Sequence, residues 1–199
     1  LSQYGDADVY QTNKRLAEIA KNAVGDSCLV AGDIGPTGKF IEPFGDLNFE
    51  DAVDAFKEQV RGLDDGGVDL FVIETQMDIQ EARAALLAVK ELTDKFVMVT
   101  MTYEPDGRTL NGTTPVAALV TLQALGADAV GCNCSVGPAG MLEYVKQMVP
   151  YAKVPIVVKP NAGMPKIEDG KTVFEMGATV VFKNSDTGDT INLTENGDA

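Results

Sequence analysis

Val68-Asp69-Leu70-Phe71-Val72-Ile73-Glu74-Thr75 is a continuous apolar, β-branched run that ends on a carboxylate and a hydroxyl. Apolar character on successive residues, rather than on alternate ones, predicts a parallel strand covered on both faces. Four further runs have the same form: Cys28 to Ile34, Phe96 to Thr102, Ala129 to Cys134 and Pro155 to Lys159. Between them lie stretches with helical spacing. Phe49, Ala52, Val53, Phe56, Val60 and Leu63 fall on one helix face, and Ile79, Ala82, Leu86, Val89 and Leu92 on another. Helix starts are marked by Asn48 with Asp51, by Asp78 with Glu81 as an acidic capping box, and by Thr114 before Pro115. Gly66-Gly67 and Gly126 stand where a helix has to stop before the next strand.

Repeated βα units leave two architectures, an open doubly wound sheet or a (β/α)8 barrel. The polar residues discriminate between them. Asp33 closes the first run, Glu74 and Thr75 the second, and Tyr103-Glu104 follow the third. Asn133-Cys134-Ser135 end the fourth, and Asn161 follows the fifth. Chemistry contributed by five successive strand ends, rather than by one crevice, predicts an α/β chain of the (β/α)8 TIM-barrel type. Five units are clear and residues 178–182 are a weaker sixth, so the barrel is expected to be incomplete.

The 199-residue chain is long enough for one globular core, and its Gly and Pro content is too low for a low-complexity chain. Sixteen basic against thirty acidic residues give a net charge of −14, which repels phosphate backbones and excludes a nucleic-acid partner. No apolar run approaches the roughly 20 residues that span a bilayer. The first residues carry no secretory pattern, and three cysteines do not make a disulfide framework, so a cytoplasmic, reducing setting is expected. The chain has no histidine. Ser-His and Cys-His mechanisms and imidazole metal ligands are thereby excluded, leaving carboxylates, thiols, amides and backbone.

Gly32-Asp33-Ile34-Gly35-Pro36-Thr37-Gly38-Lys39 fails as a phosphate loop, because Asp33 and Phe40 stand where that motif needs Gly and Ser or Thr. A carboxylate offered to a cationic ligand group, or a plain turn, are the readings left for Asp33. Glu74 ends an apolar strand and needs a partner there, whether a loop, a ligand ammonium or a metal. Cys132 and Cys134 lie two apart on one strand, so both are placed on the same face. Cys132 is equally accounted for as a small buried hydrophobe. Cys28 opens its strand at the opposite end and receives no role. Lys159 is read as a solvated strand-end charge.

Taken together, these segments resemble the homocysteine S-methyltransferase family, on its cobalamin-dependent branch. The residues that carry the resemblance begin with Gly32 to Gly38, Glu42-Pro43-Phe44-Gly45 and Val68 to Thr75. Asp106-Gly107-Arg108-Thr109-Leu110, Gly131-Cys132-Asn133-Cys134-Ser135-Val136-Gly137-Pro138 and Lys159-Pro160-Asn161-Ala162-Gly163 complete them. The resemblance implies a (β/α)8 barrel that moves a methyl group onto the sulfur of homocysteine, activated by zinc on three cysteine thiolates. It implies Cys134 as the first zinc ligand and Asp33 and Glu74 as receivers of the substrate ammonium. It places the backbone of Asn161 at the substrate carboxylate. The partners it implies are homocysteine and a cobalamin-binding module or protein that supplies methylcobalamin.

The family's adjacent cysteine pair has no counterpart: Phe182-Lys183-Asn184-Ser185-Asp186 stand in its place. The expected organisation is a partial homocysteine-binding barrel over residues 1–176 and a divergent segment over 177–199, with the family's first two strands missing. Two other function classes compete with a methyltransferase module. One is a non-catalytic remnant that acts as an oligomeric or partner-binding scaffold, because open strand edges invite association. The other is a (β/α) enzyme using Asp33 and Glu74 with a hard cation.

Overall fold

The computed structural model describes residues 8–161 throughout, and beyond them the backbone of four strands, 165–168, 171–174, 179–183 and 190–194. The first described element is helix α1 (Val9–Val24). Alternating units follow: β1 (Ala31–Ile34), α2 (Phe49–Asp65), β2 (Leu70–Gln76), α3 (Ile79–Leu92) and β3 (Val97–Met101). Then come α4 (Pro115–Ala124), β4 (Ala129–Asn133), α5 (Pro138–Met148) with a short 3₁₀ turn behind it, and β5 (Ile156–Lys159).

Helix boundaries follow the start signals. Asn48 accepts from the N–H of Glu50, Asp78 from that of Gln80, and Thr114 from that of Ala117. These caps satisfy N–H groups that have no partner inside the helix. Glu81 does not complete the capping box expected of it. Its carboxylate lies almost fully buried and instead accepts from the N–H and hydroxyl of Thr37, at 2.5 and 2.6 Å, in the loop after β1. Position explains the difference: Glu81 shares a face of α3 with the buried Ala85 and Ala88, so its side chain points inward.

The five strands form one parallel sheet in the order β1-β2-β3-β4-β5. Phe71, Ile73, Val97, Val99 and Val130 face the helices and join Phe56, Val60, Leu86, Val89, Leu119 and Leu122 in one buried cluster. Helix α1 lies on α2 through two glycines. A Cβ at Gly62 would stand 2.5 Å from the carbonyl oxygen of Tyr10, and one at Gly66 would stand 2.5 Å from the Ala17 methyl. Coverage on both faces, expected for all five strands, holds fully only for β4. On β1, Ala31 and Asp33 are exposed while Gly32 and Ile34 are buried. The face away from the helices is the hollow inner side of the sheet, and at its edge strands it stays open.

Residues 178–182, the weaker sixth barrel strand, do not join this sheet. Strand β8 (Thr179–Lys183) pairs antiparallel with β9 (Thr190–Thr194), and β6 (Pro165–Glu168) with β7 (Lys171–Phe174). Both are two-stranded hairpins, in which an alternative antiparallel partner close in sequence satisfies the backbone.

Register at the lower end of the sheet is set by a device used twice. In Gly67-Val68-Asp69 and Gly126-Ala127-Asp128 a left-handed glycine stops the helix and an aspartate enters the strand. Asp69 exchanges hydrogen bonds with Val30: its N–H donates to the Val30 carbonyl at 2.7 Å, and its carboxylate accepts from Val30 N–H at 2.6 Å. Asp128 does the same with Val97, at 2.9 and 2.9 Å. A lysine from the preceding layer closes each pin, Lys21 on Asp69 and Lys90 on Asp128.

The bonds from Lys90 and from Val97 N–H hold the Asp128 carboxyl below its ordinary range, against the opposing effect of burial. A lowered carboxylate pKa contributes stability above the unfolded value that is lost as pH falls through the folded one. Asp128→Ala is therefore expected to lower the unfolding free energy by about 1–2 kcal/mol at pH 7. The charge-dependent part of that difference from wild type should close below about pH 4. Denaturant titrations across pH check both; a loss independent of pH would leave only packing at this position.

Candidate active site

All five parallel strands end on the same side, and there the polar residues converge. Asp33 is in register with Val72, so it lies on the inner face, two positions below Glu74 on the neighbouring strand. Lys159, at the end of β5, is in register with Asn133 on the same face. Its ammonium forms a hydrogen-bonded ion pair with the Glu74 carboxylate. Strands β2 and β5 are three inter-strand spacings apart, about 14 Å on a flat sheet. The contact is thus a chord across the hollow of a curved sheet. Lys159, read from sequence as a solvated charge, is instead the counter-ion of Glu74. The signal for it was available, as the one cation at a strand end facing two strand-end carboxylates.

Asp33 has its carboxyl held above the usual carboxylate range, first by partial loss of hydration inside the mouth of the sheet and then by the charge of Glu74. Lys159 and the N–H of Ile34 pull the other way without cancelling it. An opposite charge nearby relieves such repulsion, as Lys159 does in part.

The second cluster centres on Asn133, which the sequence reading placed among the polar strand ends without giving it a role. Asn133 is buried at the end of β4. Its Oδ1 accepts from Thr75 N–H at 3.0 Å, and its Nδ2 donates to Thr75 Oγ1 at 2.8 Å and lies 3.2 Å from Cys134 Sγ. Its carbonyl accepts from the Thr102 hydroxyl at 3.1 Å. Thr75, Cys134 and Ser135 all have φ near +60°, a left-handed conformation that is strained for residues with a Cβ. The register of β2 against β3 slips at Thr75, between Ile73 and Gln76. Such a bulge re-aims side chains at the end of a strand. An amide at the end of an apolar strand, next to a thiol, is the signal that could have given Asn133 its positioning role.

Cys132 and Cys134 do not share a face. Cys132, in register with Met101 and Val158, is buried on the helix side, and burial pushes its thiol up to about 11. Cys134 lies beyond the last strand residue, where the left-handed backbone breaks the alternation and leaves the thiol beside Asn133 at the mouth. Its N–H donates to the carbonyl of Lys159 at 3.1 Å. Asn161 is close by, but its N–H donates to the carbonyl of Val136 at 3.3 Å. The structure thus brings Asp33, Glu74 and Lys159 together, and joins Glu74 to Cys134 through Thr75 and Asn133. On the inner face of β3, the buried hydroxyl of Thr100 has no hydrogen-bond partner among the described residues.

The three cysteines are in three places: Cys28 exposed before β1, Cys132 behind the sheet, and Cys134 at the mouth. Among the described residues no group of three or more Cys, Asp or Glu side chains could hold a metal ion. A three-thiolate zinc site does not fit this chain's own cysteines. No described helix is long and apolar enough to cross a membrane.

A βα chain whose thiol, carboxylates and strained turns gather at the C-terminal ends of its strands has the arrangement of a (β/α)8-barrel enzyme. The family model of homocysteine S-methyltransferases matches residues 1–187, and the chain belongs to that family. It is 32% identical over 180 residues to the methionine synthase of Mycobacterium leprae, and 31% identical over 180 residues to that of Mycobacterium tuberculosis. Each match covers 83% of this chain and 15% of the relative, so the chain spans a small part of those proteins. In fold it is similar to the homocysteine methyltransferase MmuM from Escherichia coli. The apo form aligns with a TM-score of 0.63 at 22% identity, over 79% of this chain and 62% of that one. The metallated form aligns at 0.57 and 24% identity, over 75% and 54%.

Because the folded chain holds the Asp33 charge at a cost, Asp33→Asn should raise the melting temperature at pH 7. A raised carboxyl pKa penalises the folded state above that pKa and not below the unfolded value. The gain should therefore vanish as pH falls below about 4. Melting curves against pH check this, and a destabilised Asp33→Asn protein at pH 7 would contradict it.

Proposed function

We propose that this chain is a homocysteine-binding module that presents the amino acid's sulfur for methylation. The observation that carries the reading is the pairing of a cation with the strand-end carboxylates: the Lys159 ammonium stands on Glu74 beside Asp33. A primary ammonium of the substrate meets the same electrostatic demand. On this reading Asp33 and Glu74 receive the homocysteine ammonium, and the side chain runs along the inner face towards Cys134, where the thiol lies. Asn161 lies on the carboxylate side. Asn133 holds Thr75 and Cys134 in their strained turns, so the sulfur end of the site is formed before the substrate arrives.

The chemistry is methyl transfer to homocysteine, giving methionine, with the methyl group delivered by a methylcobalamin-bearing module or protein. Family membership supports this assignment, as does the agreement of Asp33, Glu74 and Cys134 with the strand ends. Zinc, where the family uses it, sharpens a thiol into a thiolate. This chain contributes one thiol to such a site, Cys134. The single thiol at the mouth also favours a second reading, in which the module binds homocysteine or a partner without transferring a methyl group.

Two measurements test the reading. Zinc analysis of the purified 199-residue chain, with and without homocysteine, should give well under one zinc per chain; one zinc per chain that Cys134→Ala releases would contradict the single-thiol site. Calorimetric titration with homocysteine should show binding that Glu74→Gln weakens about tenfold. Unchanged affinity in Glu74→Gln would remove the ammonium assignment.

A further inference from the structure

Lys159 poses a question that the ammonium reading of Glu74 leaves open: the carboxylate is already occupied by a cation of the protein itself. A substrate ammonium has to displace it. The displaced lysine does not leave the site, because its backbone is tied to Cys134 through the N–H to O bond at 3.1 Å. Its side chain is half exposed, so the four-carbon stem is free to swing.

An α-amino acid carries ammonium and carboxylate on one carbon. Seating the ammonium between Asp33 and Glu74 therefore brings a carboxylate next to the cation just released. Asn161, two residues further on, has its N–H committed to the Val136 carbonyl and does not offer it to a ligand.

We propose that Lys159 is the carboxylate-binding residue of the site and acts as an exchange clamp: it neutralises Glu74 in the free chain and transfers to the α-carboxylate when the amino acid binds. The inference rests on the homocysteine reading and adds a selection rule to it. A simple amine breaks the Lys159–Glu74 pair and returns nothing to the lysine. A zwitterion replaces one ion pair by two. The clamp thus disfavours aminothiols that lack a carboxylate through the cost of breaking an existing pair, which is discrimination by an unfavourable alternative. Glu74 also never stands uncompensated beside Asp33 in the free chain.

The experiment compares homocysteine with 3-aminopropane-1-thiol, which lacks the carboxylate, and 4-mercaptobutanoate, which lacks the ammonium. Each is titrated calorimetrically into wild-type, Lys159→Met and Lys159→Arg protein. Circular dichroism and melting temperature establish that each variant is folded. The wild type should bind homocysteine at least about tenfold more tightly than 3-aminopropane-1-thiol. In Lys159→Met that ratio should fall to within about twofold, with the amine itself bound more tightly than by wild type because Glu74 is free. Lys159→Arg should keep most of the ratio, since it keeps the charge.

Homocysteine binding with the same ratio in Lys159→Met as in wild type would overturn the clamp and leave the homocysteine reading standing. Equal weakening of all three ligands in Lys159→Met would overturn it too, showing a structural role only. Failure of the wild type to bind any of the three would overturn the homocysteine reading, and the clamp with it.

Discussion

Two aspartates at the lower edge of the sheet, Asp69 and Asp128, set the alignment on which everything above them depends. A parallel strand has no hairpin to fix its register. Here each aspartate exchanges two hydrogen bonds with the strand before it and is held by a lysine from the helix layer. With register fixed below, the side-chain period of two decides what appears above. One slipped residue would turn Glu74 into the helix layer and bring Ile73 to the mouth. Stability and function are thus divided between the two ends of the sheet, as is usual for this architecture.

At the upper end the structure accepts strain and like charges set side by side. Thr75, Cys134 and Ser135 sit in left-handed backbone, each at a cost of the order of 1–3 kcal/mol for such residues. The Asn133 amide holds two of them by bonding to Thr75 twice and lying against the Cys134 sulfur. Asp33 and Glu74 repel each other, and Lys159 offsets part of that repulsion from across the hollow. These features are confined to strand ends, whereas the middle of the sheet is apolar and closely covered on its helix side. The hydrogen bonds of Asn133 fix the Thr75 and Cys134 end of this mouth, whereas the half-exposed Lys159 leaves the Glu74 end able to rearrange.

Much of the fold was legible because it follows from local rules. The Asn48, Asp78 and Thr114 caps, the left-handed Gly67 and Gly126, and the apolar runs each have one physical cause within a few residues. The Ile79–Leu92 helix follows its periodicity from end to end. What stayed hidden depends on residues distant in sequence. Glu81 reads as a cap because its partner Thr37 lies 44 positions away, and Lys159 reads as solvated because Glu74 lies 85 positions away. Cys132 and Cys134 were placed on one face by a rule that holds only while the strand continues, and the strand stops at Asn133. Residues 178–182 were read as a weaker sixth unit of the parallel sheet, but short-range antiparallel pairing of 179–183 with 190–194 claims them instead. Asp33, Glu74 and Cys134 were legible as candidates because a polar residue that closes an apolar strand always needs an explanation.

The proposed ligand at the mouth of this sheet is an α-amino acid held by its ammonium group. A crystal structure of the chain grown with homocysteine tests it most directly. The ammonium nitrogen is expected about 3 Å from carboxylate oxygens of both Asp33 and Glu74, with the sulfur on the Cys134 side. Homocysteine bound with its ammonium in solvent, or seated away from the strand ends, would contradict it.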